Sequence, residues 1–398
     1  MQTWLCCQLG AREHYAVPRA LQLNGLLGEF ITDLWIRPGT LLHSLKNRLT
    51  GRFHPELATA QVIAPNVSAL RFELKASLKR ENGWELIGQR NEWFQRQAVA
   101  QLARNHHNGN HTIFAYSYAA ADIFKFARAR GWRTVLGQID LGPADEQIMA
   151  DLHKNAGMEH KWKPAPKEYW DNWRIECSLA DKIVVNSAWS RDALLSEGIP
   201  AEKIRLIPLA YEPLTDSSSF QRHYPRTFSS ERPLRVLFLG QINLRKGARQ
   251  LLDAIKLLAR ENVEFWFVGP IQIDIPNDLR EHPQCKWFGV APRVDVNRYY
   301  RDADVFILPT FSDGFGLTQL EAQACKLPVI ASRYCGEVVR NGFNGVILEE
   351  ISGKAIAGVL LRFLRSPETL RAMSVRSGVD DRFTLRRLAS SLSNLTAD

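Results

Sequence analysis

Arg245 and Lys246 stand side by side in Phe238-Leu239-Gly240-Gln241-Ile242-Asn243-Leu244-Arg245-Lys246-Gly247. An apolar strand ends at a glycine, a short loop carries the two cations, and a helical pattern begins at Gly247. A helix N-terminus offers free N–H groups and a partial positive charge, which suits a phosphate. Arginine adds a planar fork and lysine a point charge, so the pair would clamp a diphosphate. The plainer alternative is a solvated Arg-Lys pair on a connection. A second stretch reads Pro309-Thr310-Phe311-Ser312-Asp313-Gly314-Phe315-Gly316-Leu317-Thr318-Gln319-Leu320-Glu321. Gly314 and Gly316 would let backbone approach a ligand closely. Asp313 at the mouth of the loop and Glu321 one turn into the helix can accept charge-assisted hydrogen bonds from sugar hydroxyls. Here too a plainer reading exists: Thr318-x-x-Glu321 fits a capping box, and Asp313-Gly314 a common turn.

These loops need strands to end beside them. Short apolar runs at 235–239, 263–268, 285–288, 305–308, 329–332 and 346–348 alternate with helical spacing at 247–259, 294–302 and 317–325. The runs are apolar on both faces, so the pattern predicts a parallel sheet covered by helices on both sides. The first half is noisier. Strands are expected at 61–64, 112–115, 134–136, 182–186 and 204–207, with helices such as 93–104 and 120–129 between them. Serines, prolines and charges replace periodicity at 211–233, which marks a linker. The expected organisation is a first α/β domain over 1–210, the linker over 211–233, and a second α/β domain over 234–375. The tail reads as helical over 367–395, and its last part, 376–398, is expected to pack back on the first domain. Both binding loops then lie at the carboxyl ends of parallel strands, where open α/β sheets bind ligands. A diphosphate clamp beside two hydroxyl-binding carboxylates describes a nucleotide sugar.

The bulk composition agrees with two folded domains. The chain has 398 residues, of which 45% are hydrophobic and 23% charged, so disorder is excluded for most of it. The net charge of +9 favours anionic partners. Without a basic cluster interleaved with aromatics, nucleic acid is not among those expected. Six cysteines without a C-x-x-C pair read as reduced thiols of a cytoplasmic protein. No signal peptide or membrane span is legible.

Asp313-Gly-Phe-Gly-Leu-Thr-Gln-Leu-Glu321 resembles the E-G-F-G-x-x-x-x-E signature of retaining glycosyltransferase family 4, of GT-B fold. Ala303 to Pro309, Leu327 to Ser332, Leu239-Gly240 and Arg245-Lys246-Gly247 resemble its flanks. Ala180 to Ser187 and Lys203 to Pro208 resemble the segment before its interdomain linker. The likeness covers about 180–350. It implies two Rossmann-like domains facing a cleft, and transfer of a hexose from a UDP- or GDP-sugar to a saccharide or lipid-linked acceptor. It implies that Glu321 binds the ribose, and that Asp313 with the backbone of Gly314, Phe315, Gly316 and Leu317 holds the sugar. Arg245 and Lys246 would neutralise the leaving diphosphate beside Gly240, and the backbone near Val290 would meet the base. No cofactor and no metal ion is expected. Asp313 stands where the family usually has Glu, and Gln241 where many members have Arg. On the first domain, Gly10, His14, Gln138 and Asp140 are candidates for the cleft.

Other features are weaker. His106, His107 and His111 lack the further ligands a zinc site needs. Arg71, Lys75 and Lys79 fall at helical spacing near Phe72, Leu74 and Leu78. They form either a solvated face or a contact with an anionic membrane, which would make the protein peripheral on the inner face. Arg12, Glu13 and Tyr15 join His14 as residues that could line the cleft. The alternative to an enzyme is an inactive sugar-nucleotide-binding partner subunit of the same fold. An epimerase is a further possibility in this fold. A phosphorylase would need a lysine-bound pyridoxal phosphate, for which there is no sign.

Overall fold

The computed structural model describes residues 3–39, 51–105, 109–212 and 220–395. Two parallel sheets organise them. The first contains β1 (Thr3–Gln8), β2 (Leu27–Thr32), β3 (Val62–Ile63), β4 (His111–Tyr116), β5 (Arg133–Gly137), β6 (Lys182–Val185) and β7 (Ile204–Leu206), in the order β3-β2-β1-β4-β5-β6-β7. The second contains β8 (Leu234–Leu239), β9 (Val263–Val268), β10 (Cys285–Gly289), β11 (Val305–Leu308), β12 (Val329–Ala331) and β13 (Gly345–Ile347), in the order β10-β9-β8-β11-β12-β13.

Period-two alternation sends side chains of each central strand to separate cores. Leu5 and Cys7 of β1 face one cluster with Phe94, Ile113 and Phe124, while Trp4 and Cys6 face another with Tyr15, Phe30 and Leu388. In the second sheet, Val236 and Phe238 of β8 join Leu251, Ile255 and Ile356, whereas Leu237 joins Tyr300, Phe306 and Val329. Both faces are covered, as the unbroken apolar runs require. Strand order reverses between β1 and β4 and again between β8 and β11. A crevice opens at such a reversal, at the carboxyl ends of the strands.

The hydropathy pattern does not mark β1 and β2, although β1 is central. Gly28 and Glu29 interrupt the apolar run in β2. Gly28 lies so close to Thr3 that a Cβ there would overlap its side chain. The segment 220–233 is also no free tether: Tyr224 and Phe228 are buried in the second core. The tail differs from one continuous helix. It forms helices Pro367–Arg376 and Leu385–Asn394, separated by residues 377–384. The break lets the chain cross back, and Leu385, Leu388, Ala389 and Leu392 pack beside helix Ala16–Leu23 of the first domain. Tyr211, on the outward crossing, donates its N–H to the Phe383 carbonyl on the return, at 2.8 Å.

Candidate functional site

A cavity of about 330 Å³ lies between the two sheets at both strand-order reversals. On the second domain it is lined by Gly240, Lys246, Asp313, Phe315, Gly316 and Thr318. On the first domain Arg12, Glu13, Ile139 and Asn186 face them. A larger cavity, about 650 Å³, lies at the opposite ends of β5 and β6, around Thr134, Asp181, Lys182 and Lys203. Its cations are already engaged. Arg128 binds Leu179 O and Asp181, and Lys203 binds Cys177 O and Ser178 O, so they satisfy a helix C-terminus.

The loop after β8 is held by its own side chains. Asn243 accepts the Lys246 N–H at 3.0 Å and donates to Gln272 at 2.9 Å. Gly247 caps helix Ala248–Leu257 at φ 73°, and a Cβ there would overlap the Pro309 carbonyl. The two loops therefore touch, which sets Lys246 against Asp313 in an ion pair. Arg245 is turned toward the Ser312 carbonyl at 3.3 Å, and its own carbonyl accepts the Phe311 N–H at 2.7 Å. Burial pushes the Asp313 carboxyl up, but Lys246, then Arg245 and the Phe315 N–H, outweigh it and leave it below the ordinary carboxylate range. Asp313 is thus a carboxylate at neutral pH.

Helix Thr318–Ala324 starts from Leu317, with no side-chain cap. The capping-box reading therefore fails: Thr318 is already inside the helix, and Glu321 instead accepts the buried Tyr300 hydroxyl at 2.6 Å. Tyr300 has no motif to betray it in the sequence. Its helix, Arg293–Asp302, is gripped by Arg222, which donates to the carbonyls of Tyr300 and Ala303, to that of Arg301 at 3.1 Å and to that of Cys325 at 2.9 Å. Arg222 so ties the ends of both helices that carry Tyr300 and Glu321. Val290 is 73% exposed beyond edge strand β10 and does not line the cavity.

The first-domain wall is built on an unusual turn. Gly10, at φ 82°, is followed by Glu13, His14 and Tyr15 at φ 50°, 54° and 62°. Three consecutive left-handed residues with side chains are costly, so the surroundings must impose them. Gln8 donates to the Gly10 and Arg12 carbonyls, and Gly10 donates to Asp33 at 2.9 Å. Glu13 accepts the Tyr116 hydroxyl at 3.1 Å. Burial, opposed by Tyr116 and Arg12, raises its carboxyl to about 7.

Arg12 and Glu13 line the cavity directly, which Gly10 and His14 do not. Gln138 is buried and engaged by Trp173 at 3.0 Å. Asp140 accepts from Gly142 N–H at 2.9 Å and from Tyr118 OH, and burial raises its carboxyl. These two hold the loop whose Ile139 reaches the cavity. His111 starts β4, while His106 and His107 lie outside the described residues.

The domains meet around the same loops. Ser190 donates to the Gly314 carbonyl at 3.3 Å, and Ala188 N–H to Glu337 at 2.8 Å. Ser312 donates to Asp145, and Lys161 pairs with Asp274 at 2.7 Å. Gly314 passes so near Ile139 that a Cβ would overlap its carbonyl.

Residues 233–366 match the family described as glycosyl transferases group 1. The match runs from β8 through helix Gly353–Arg365 and so spans most of the second domain. Among curated relatives, the amylovoran biosynthesis glycosyltransferase AmsK of Erwinia amylovora is 24% identical over 62% of this chain and 62% of its own. A D-inositol 3-phosphate glycosyltransferase of Paenarthrobacter aurescens is 26% identical over 49% of this chain and 52% of its own. The chain thus spans about half to three-fifths of these relatives. Among solved structures, Anabaena Alr3699/HepE in complex with UDP aligns over 100% of both chains, with TM-score 0.62 and 15% identity. Sucrose-phosphate synthase of Thermosynechococcus elongatus aligns over 100% of this chain and 98% of its own, with TM-score 0.65 and 17% identity. The matched region is therefore one half of a two-domain GT-B architecture.

Proposed function

We propose that the chain is a retaining glycosyltransferase that moves a hexose from a UDP- or GDP-sugar to a saccharide or lipid-linked acceptor, without a metal ion. The observation that carries this reading is the Lys246–Asp313 pair, set on one wall of the interdomain cavity with Gly316 and the start of helix Thr318–Ala324. A lysine suits a diphosphate, and an ionised aspartate suits hydroxyls. The similarity to named glycosyltransferases, and to a structure whose ligand is UDP, supports the same class.

In this reading Lys246 exchanges Asp313 for a diphosphate oxygen, and the released carboxylate takes up sugar hydroxyls. Arg245 adds charge beside the same phosphate, and Glu321, braced by Tyr300, binds the ribose. The bond from the anomeric carbon to the phosphate oxygen breaks. The bond from that carbon to the acceptor oxygen forms on the same face, and the acceptor proton passes to the departing phosphate. Charge grows on that phosphate in the transition state, so preorganised cations and N–H groups supply the rate.

Calorimetric titration with UDP, GDP and ADP, on the wild type and Glu321→Ala, tests it. One nucleotide should bind, and the variant should lose about 1.5–3 kcal/mol, more than tenfold in affinity. Equal binding by the variant would take Glu321 out of the donor site, no binding by the wild type would overturn the nucleotide-sugar reading, and binding without donor turnover would bring forward the inactive partner subunit.

A further inference from the structure

Helix Asn66–Lys79 has two apolar faces, and only one is used. At about 100° per residue, Ala69, Phe72 and Ala76 share one side. Ala69 and Phe72 pack on the core of the first domain, and Ala76 is buried. Val67, Leu70, Leu74 and Leu78 fall within an arc of about 80° on the opposite side. All four are exposed, Val67 and Leu74 at 63% and Leu78 at 76%. Four large apolar side chains in one stripe are a patch, unlike single exposed residues. The flanks are unequal. Arg71, Lys75 and Lys79 lie along one border and are exposed, with Lys79 3.6 Å from Glu81. On the other border the acid Glu73 is taken up by Arg90 at 2.8 Å.

We infer that this face docks on an anionic lipid surface. A helix lying in the interface plane sinks its apolar stripe to the acyl boundary, while flanking lysine and arginine stems reach back to headgroup phosphates. A protein groove could cover the leucines, but the row of cations along one border matches the phosphate layer that a bilayer presents beside its apolar interior. No helix among the described residues is long and apolar enough to cross a membrane, so this attachment is peripheral. The inference is independent of the transfer reaction.

The test is flotation of the full chain with phosphatidylcholine vesicles, with and without phosphatidylglycerol. The wild type should float with the anionic vesicles, and added salt should weaken this. Leu70→Ser/Leu74→Ser/Leu78→Ser and, separately, Arg71→Glu/Lys75→Glu should each lower binding roughly tenfold or more. Circular dichroism and unchanged melting would show that both variants fold; if the leucine variant does not, Leu74→Ser alone replaces it. Failure of the wild type to float, or flotation of the leucine variant as strong as wild type, overturns the inference. So does self-association of the wild type that the leucine variant abolishes, because the stripe would then be an interface between copies.

Discussion

Lys246 and Asp313 neutralise each other across a cavity that also holds Arg12 and Glu13. An incoming diphosphate would compete for the lysine, so the pair acts as a placeholder that keeps two buried charges compensated. Glu13 is the less settled charge. Burial, only partly opposed by the Tyr116 hydrogen bond and by Arg12, puts its carboxyl at about 7 in the folded chain against an ordinary 4.5. Protonated Glu13 is therefore favoured by folding. Its contribution is complete below about pH 4.5 and is lost as pH rises through 7. Glu13→Gln, which mimics the protonated form, should match the wild type near pH 4.5. Above pH 7 it should be the more stable, by at most about 3 kcal/mol. Denaturant midpoints at the two pH values check this, and a constant difference would contradict it. The residue types of the second-domain loops were legible because glycines, cations and acids cluster there. The state of Glu13 was not, because it depends on Tyr116, more than a hundred positions away.

Loops at strand ends do the positioning, and glycines decide how near they come. Gly314 has no left-handed φ, and what it spares is space: a Cβ would overlap the carbonyl of Ile139 on the other domain. Gly314→Ala should therefore hold the domains apart while leaving the second-domain loops folded. We expect turnover to fall roughly tenfold or more with nucleotide affinity much less affected; steady-state kinetics beside calorimetry would separate the two. All six strands of the second sheet match the hydropathy reading within a residue, because they are short, apolar on both faces and bounded by turns. In the first domain β1 and β2 escaped it. Gly28 and Glu29 break the run, and the pairing with Thr3 and Gln61 that makes sense of them is tertiary. The capping box was a false signal for a similar reason. Spacing alone cannot tell N-cap from first helical turn, and Tyr300 supplies the partner that Thr318 does not.

At the scale of the whole molecule, the chain passes between domains twice. The C-terminal helix Leu385–Asn394 completes the core of the first domain, with Leu388 and Leu392 against Tyr15, Ala20 and Leu21. Leu388→Ala should cost about 2–5 kcal/mol and act on the first domain. In calorimetry, one transition should move down while the one assigned to the isolated second domain stays put. If both shift together, the domains unfold as a unit. The two crossings touch at the Tyr211–Phe383 hydrogen bond. A body tethered at one point can swivel in any direction. One tethered by two connections that touch keeps chiefly the bend about the line through them, and twisting is resisted because it would shear that bond. Opening of the cleft should thus trace a single arc, with Ser190–Gly314 and Lys161–Asp274 parting in a fixed order set by their distance from that line, like the pages of a book held at its spine.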